Sequence, residues 1–266
     1  MAAALAGWTG APASGADAPL RFSIVEGRTE NHFYRRGPVA AHLVVTAGDR
    51  PRLIVAFPAG NTGAALWFEE TKTAVSLRLA PDSLLQGVER PDGLRGIVAH
   101  LRADAPRLTV RAALLANIRS LRDHIAAGGR ELPPKLASRI EAGPPVVLHR
   151  ATIDGLHHVE LRLAGHAGTT VLAGPQAIEI AAGPAGRIEL EITALTDETP
   201  LTPFAPGDLF KAGVADRPLD RQAFAFLASA EKLNAGSWRF LTYFGRDTLM
   251  TVQLLMPVLQ PPVIEG

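Results

Sequence analysis

The side chains best suited to chemistry lie together near the end of the chain, in residues 236–248. This stretch, Gly-Ser-Trp-Arg-Phe-Leu-Thr-Tyr-Phe-Gly-Arg-Asp-Thr, holds four aromatic residues and an adjacent arginine and aspartate. A carboxylate accepts hydrogen bonds from two neighbouring hydroxyl groups, a guanidinium donates to hydroxyl oxygens, and an aromatic ring stacks on the apolar face of a pyranose. The stretch therefore predicts a sugar-binding subsite. Its candidate binding residues are Arg246, Asp247, Trp238, Tyr243 and Phe244.

The same residues are also compatible with a purely structural role. In that interpretation Asp247 or Thr248 caps a helix, Arg246 pairs with an acidic residue elsewhere in the chain, and Trp238 and Phe244 belong to the core. Spacing alone does not separate the two interpretations.

Other polar clusters are weaker candidates. In the pairs Glu69–Glu70 and His157–His158, neighbouring strand residues point to opposite faces, which favours solvated carboxylates and argues against a metal pair. The eight histidines show no linear ligand spacing such as His-x-x-x-His, so neither a metal nor another cofactor is expected. Residues 31–36, Asn-His-Phe-Tyr-Arg-Arg, are compatible with the wall of a cleft or with a strand that has an exposed basic edge.

The candidate stretch leads into a predicted helix that runs from about Arg246 to Leu259. Its residues leave almost no polar face, so such a helix must be buried nearly all round. The short stretch of chain around it is too small to enclose it, and a large apolar patch would otherwise be exposed. We therefore expect either a longer protein that continues beyond this chain or a partner that covers the helix. A continuing chain is the simpler expectation.

The elements that must position this stretch are mostly strands. From Leu20 to about Thr196, short alternating segments are separated by Gly, Pro and Asp, which predicts a two-sheet β-sandwich of the large supersandwich kind. The predicted strands cover residues 20–26, 39–46, 52–57, 64–69, 74–79, 96–102, 108–113, 146–150, 158–163, 169–172, 177–181 and 187–193.

One predicted helix interrupts the strands. Leu114, Ile118, Leu121 and Ile125 recur at helical spacing, Gly128-Gly129 ends the helix, and residues 132–145 form a connecting loop. After residue 196 the pattern changes to Thr, Pro, Asp and Gly, which indicates a linker. A helical stripe then follows. Its members are Leu219, Ala223, Phe226, Ala230 and Leu233.

The predicted organisation therefore has four parts. They are an N-terminal signal-peptide remnant or disordered terminus (1–19), the sandwich (20–196), the linker (197–218) and the start of a helical domain (219–266).

Composition excludes several classes of protein. With 27 basic and 26 acidic residues and 47% hydrophobic residues, the chain predicts a folded core and no footprint for nucleic acid or an anionic membrane. It contains no cysteine and no apolar run of about 18 residues that would span a membrane. Residues 1–18 are small and apolar, and Ala11-Pro12-Ala13 resembles a signal-peptidase site. This favours a periplasmic or secreted protein, and the cytoplasm stays open.

The segment Tyr243-Phe244-Gly245-Arg246-Asp247-Thr248-Leu249 resembles the Trp-Gly-Arg-Asp-Thr signature of the amylo-α-1,6-glucosidase region of glycogen debranching enzymes. It is also similar to the Trp-Thr-Arg-Asp segment of glucoamylases. Both belong to the six-hairpin glycosidases, whose (α/α)6 catalytic barrel in many members follows a β-sandwich and a linker. Phe244 stands where the debranching signature has Trp, so the resemblance does not define the stacking residue or the linkage cleaved.

The resemblance implies that this chain is the N-terminal portion of a glycoside hydrolase acting on α-linked glucose oligosaccharides or polysaccharides. It implies that Arg246 and Asp247 bind hydroxyls of the sugar and that the catalytic acid and base lie downstream, so no catalytic residue is assigned here. Two rivals stay open. One is a non-catalytic carbohydrate-binding or scaffold protein, and the other is a phosphorylase of the same barrel clan.

Overall fold

The protein is described by a computed structural model that covers residues 18–126, 137–174, 177–214, 217–236 and 238–265. Within these residues the fold is mainly β, as the sequence predicts, and two antiparallel sheets are stacked. The strands are β1 (Leu20–Glu26), β2 (Thr29–Arg36), β3 (Val39–Thr46), β4 (Arg52–Phe57), β5 (Thr62–Phe68), β6 (Leu77–Leu79), β7 (Gln86–Glu89), β8 (Arg95–Ala103), β9 (Arg107–Asn117), β10 (Arg139–Glu141), β11 (Val146–Ala151), β12 (His158–His166), β13 (Thr170–Ala173), β14 (Ile178–Ala181) and β15 (Ile188–Thr196).

The two sheets differ in how their faces are covered. The first has the strand order β1-β2-β3-β4-β5-β9-β14-β13, and the second has the order β10-β11-β12-β15-β8-β6 with β7 also paired to β8. In β3, Leu43 lies in the main core between the sheets, whereas Val44 lies in an outer core on the other face. In β8, Leu101 is buried and its neighbours His100 and Arg102 are half-buried. Side chains along strands of the second sheet therefore alternate between buried and half-buried, whereas strands of the first sheet such as β3 are apolar runs buried on both faces.

Three predictions about these elements need correction. Residues 31–36 belong to β2, but Arg35 is buried, so the strand has no exposed basic edge at this residue. Helix α1 (Ile118–Ala126) is present, yet Leu114 lies in β9, which runs directly into the helix. Strand β10 occupies part of the predicted loop at 132–145 because it pairs with β11. The expected helix stop at Gly128-Gly129 lies outside the described residues.

The terminal segment comprises the described residues of 197–265, and it packs against the outer face of the first sheet through Phe226, Trp238 and Leu241. It contains α2 (Pro218–Leu227), the hairpin β16 (Ala228–Ser229) and β17 (Lys232–Leu233), α3 (Gly245–Leu255) and α4 (Pro261–Glu265). The single helical stripe predicted from Leu219 to Leu233 is therefore wrong beyond Leu227. Helix α2 does not continue beyond Leu227, because its last backbone carbonyls accept hydrogen bonds from donors outside the helix. Among these donors are the Arg35 guanidinium and the backbone N–H of Asn234.

Helix α3 also differs from the prediction. It ends at Leu255, two residues before Pro257, which lacks the N–H that a continuing helix needs. None of its described residues is buried, and Leu249 and Leu254 are 70% and 75% exposed, because no described element packs over that side. The described residues thus leave an apolar side of α3 exposed, as expected for this chain by itself, and its covering by a continuing chain or a partner stays a prediction. No helix among them is long and apolar enough to span a membrane.

Candidate functional site

The structure separates the five candidate residues into three groups. Trp238 is only 6% exposed and packs in the outer core with Phe226 and Leu241, beneath the Arg239 guanidinium at 5.3 Å. This is the structural role that the sequence left open for Trp238. Tyr243 and Phe244, in contrast, line a cavity.

Arg246 and Asp247 lie in the first turn of α3. The Arg246 side chain is 86% exposed, and its Nε donates to the Asp247 carboxylate at 3.3 Å. Asp247 lies where a helix N-terminus favours negative charge. The Thr248 hydroxyl donates to the carbonyl of Leu233 at 3.0 Å, which ties α3 to β17 instead of capping the helix.

The cavity beside Tyr243 and Phe244, here called the aromatic cavity, has a volume of about 450 Å³. It lies between the turn after β4, the start of α1 and the stretch before α3. The N-terminal end of α1 is fixed because the side-chain amide oxygen of Asn117, Oδ1, accepts a hydrogen bond from the backbone N–H of Ser120 at 2.8 Å. The lining residues are Gly60, Asn61, Asn117, Ile118, Arg119, Arg122, Arg239, Thr242, Tyr243 and Phe244.

The chemistry of the aromatic cavity is that of hydrogen-bond donors around two aromatic rings. Three arginines and two asparagine amides line it, and none of its described lining residues is a carboxylate. Arg122 donates to the backbone carbonyl of Arg239 at 3.4 Å, which links α1 to the opposite wall. Such a lining suits a ligand rich in oxygen acceptors that also presents an apolar face.

A second cavity of about 360 Å³, here called the carboxylate cavity, lies on the other side of Gly60. Glu198, Asp154, Arg150 and Asn117 are among its lining residues. Gly60 has φ +61°, and a methyl group at this position would overlap the carboxyl group of Glu198. The two cavities are thus separated by a turn that only glycine fits.

Several charged groups around the carboxylate cavity are perturbed. Burial raises the pKa of Glu198, and the nearby His157 and Lys232 oppose this shift only in part. Burial also lowers the pKa of Lys232, although Glu198 and Glu231 act in the opposite direction. The ammonium of Lys232 donates to the carbonyl of Pro58 at 2.8 Å and to Asn61 Oδ1 at 3.0 Å. Lys232 therefore holds the turn that carries Gly60.

The prediction that neighbouring side chains diverge is wrong for His157 and His158, whereas the predicted exposure of Glu69 and Glu70 is confirmed. His157 precedes β12, so the two side chains do not diverge as predicted, and both approach Asp197, at 3.5 Å from His157 and 3.1 Å from His158. Burial raises the pKa of Asp197, but hydrogen bonds from His158 outweigh it and the net shift is downward. Glu69 and Glu70 are exposed, as predicted for solvated carboxylates.

Sequence reasoning missed Asn61, Lys232 and Glu198. Asn61 follows Pro58-Ala59-Gly60, a turn signal that was available but carries no mark of chemistry. Glu198 lies in the predicted linker, and Lys232 in a predicted helix. Each gains its role from a partner far along the chain. No known protein-family model matches the sequence, and no curated protein matches it either.

Proposed function

We propose that this chain is the N-terminal part of a glycoside hydrolase that acts on α-glucosidic linkages. In this proposal the stacked sheets are a β-sandwich, and residues 219–265 are the opening helices of an (α/α)6 barrel. The acid and the base of the reaction belong to the part of the barrel that follows. The aromatic cavity is the observation that carries the proposal.

Tyr243 and Phe244 supply the apolar contacts that a pyranose ring needs, and Asn61, Asn117 and Arg239 supply hydrogen-bonding groups at the same cavity. Tyr243 is 53% exposed, so its ring is accessible to a ligand. In this proposal Arg246 and Asp247 bind further hydroxyls, since neither is committed to the core. Trp238 supports the site from the outer core and does not touch the sugar.

Calorimetric titration with maltotriose tests the subsite directly. Tyr243→Ala should weaken binding about tenfold, which corresponds to about 1.4 kcal/mol. Phe240→Ala is the matched control, because Phe240 is an exposed aromatic of the same stretch but does not line the cavity. Equal affinity of the wild-type and Tyr243→Ala chains would contradict the proposed subsite.

Hydrolysis requires the downstream carboxylates. In a protein that contains them, Asp247→Ala should lower kcat/KM by on the order of 10² or more, because hydrogen bonds that strengthen in the transition state are lost. Near wild-type hydrolysis in that variant would exclude a role for Asp247 in the subsite.

A second candidate function is a non-catalytic carbohydrate-binding protein in which the stacked sheets act alone. The carboxylate cavity favours it, since all of its lining residues except Glu198 precede the terminal segment, and they include hydroxyl-binding groups such as Asp154 and Arg150. In that case Asp154→Ala should abolish maltotriose binding, and Tyr243→Ala should leave it unchanged. The first proposal predicts the opposite pattern.

A further inference from the structure

Two histidines and one glutamate meet on the outer face of the second sheet. His100 lies on β8, Glu191 on the neighbouring β15 and His166 on β12, which pairs with the other edge of β15. Glu191 is directly opposite His100 in the register, and on the other side it is opposite Ala164. Residues two apart in a strand share a face, so His166 lies diagonally across from Glu191 on that same face.

The distances between the three side chains suit a metal ion. Nε2 of His100 and Nε2 of His166 are each 3.5 Å from Oε2 of Glu191, and the ligand atoms of all three residues lie within 4.8 Å of one another. A tetrahedral zinc ion with bonds of about 2.0–2.2 Å separates its ligand atoms by roughly 3.3–3.6 Å. Two of the three ligand separations are therefore already close to the required value, and they are longer than a normal hydrogen bond.

Neighbouring charges leave Glu191 available to both histidines. Arg102, two residues from His100 on β8, and Arg187, four residues before Glu191, each donate to Glu189 at 2.9 Å. Strands β8, β12 and β15 are joined along continuous ladders, so the backbone positions of the ligands are rigid. The ligand set is accessible, since the His100 and His166 side chains are 42% and 50% exposed.

We propose that His100, His166 and Glu191 bind one zinc-type divalent ion, with water in the fourth coordination position. Two imidazoles and one carboxylate form a ligand set that zinc accepts with such an open position. The ion joins three adjacent strands of the second sheet. Linear spacing in the sequence does not reveal the site, because the sheet register alone brings the three residues together.

Zinc titration of the chain, after treatment with a chelator and in competition with a chromophoric indicator, tests this proposal. The wild-type chain should bind one zinc ion at pH 7.5, and its melting temperature should rise with zinc. His166→Gln should weaken binding at least about tenfold, as loss of even an outer-shell partner costs about 10- to 100-fold.

His149→Gln is the matched control. His149 lies on β11 of the same sheet and contacts a single carboxylate, that of Glu141, at 3.1 Å, with no second histidine at that carboxylate in the described residues. This variant should bind zinc like the wild type. Melting of every variant in chelator verifies that the fold is retained. Absence of saturable zinc binding to the wild type, or equal affinity of the wild-type and His166→Gln chains, would overturn the proposal.

Discussion

Replacing Arg35 with methionine is expected to loosen the terminal segment from the first sheet. Arg35 projects from β2, is 5% exposed, and its Nη1 donates to the carbonyls of Ala225, Phe226 and Ala228 at 2.9, 3.2 and 2.6 Å. These carbonyls belong to the end of α2 and the residue that follows it, where a helix leaves acceptors without intrahelical donors. Methionine fills a similar volume but donates no hydrogen bond.

The magnitude follows from two opposing contributions. The two N–H groups of Nη1 make hydrogen bonds from a charged donor, each worth about 1.5–3 kcal/mol, or roughly 3–6 kcal/mol together. Against this, burial lowers the pKa of Arg35 to about 10 even though Glu231 acts in the opposite direction, which corresponds to a net cost of about 3 kcal/mol for keeping the buried guanidinium charged. The net loss expected for Arg35→Met is about 2 kcal/mol of unfolding free energy.

Urea unfolding followed by tryptophan fluorescence measures this loss. Trp238 lies in the outer core under the terminal segment, so its emission reports on the contact that Arg35 holds. Arg50→Met is the control, since Arg50 is 75% exposed in an ion pair with Glu70 and such pairs contribute about 0–1 kcal/mol. If Arg35→Met is no less stable than Arg50→Met, the buried guanidinium does not anchor the segment.

Three further predictions concern stability. Burial, aided by His32, lowers the pKa of His42 to about 3, so the unfolded chain gains a proton below about pH 6.5 that the folded chain does not. Wild-type stability should fall by about 2 kcal/mol between pH 6.5 and 5 for this reason, and urea titrations of His42→Gln should lack that part of the slope. Gly60→Ala should cost about 1–3 kcal/mol in thermal unfolding, through its positive φ and the overlap with Glu198. Leu254→Lys should change stability by less than about 0.5 kcal/mol in the same assay, and a larger loss would mean that α3 is covered on this side.

Local pattern predicts several strands well, both apolar runs such as β3 and β4 and alternating strands such as β15. The bounds of β1, β3 and β4 agree with the predicted ones at both ends, and β15 shows the expected buried Ile188, Leu190 and Ile192. Strand β2 was missed as an interior strand because Asn31, His32 and Arg35 are polar. Their burial depends on partners that local sequence does not show, such as the α2 carbonyls for Arg35 and His42 for Asn31.

The candidate site also contains residues that local sequence predicts and residues that only the fold brings in. The local signal, aromatic residues before a helix, identified Tyr243 and Phe244, which line the aromatic cavity, and also Trp238, which does not. Aromatic content alone does not distinguish a ring that can stack on a ligand from a ring in the core. The difference is whether the first sheet covers the ring, as it does for Trp238, or leaves it at a cavity. The opposite wall, with Asn61 and Asn117, is contributed by residues far upstream and carries no local signature.

The aromatic cavity has walls from two parts of the chain, so ligand affinity should depend on how the terminal segment is held. Lys232 links the two parts, because its ammonium bonds Pro58 and Asn61 of the turn after β4 while it is itself part of β17. Lys232 does not line the aromatic cavity, so any effect on binding there must act through the position of Asn61. If Tyr243 and Asn61 contact one sugar, Lys232→Met should weaken maltotriose binding about three- to tenfold. Arg50→Met should leave maltotriose binding unchanged.

In the wild type, maltotriose at a hundred times its Kd should raise the unfolding free energy by about 2.7 kcal/mol. Wild-type affinity in Lys232→Met would show that the ligand contacts only one wall, and the proposed subsite would then be reduced to the residues around Tyr243.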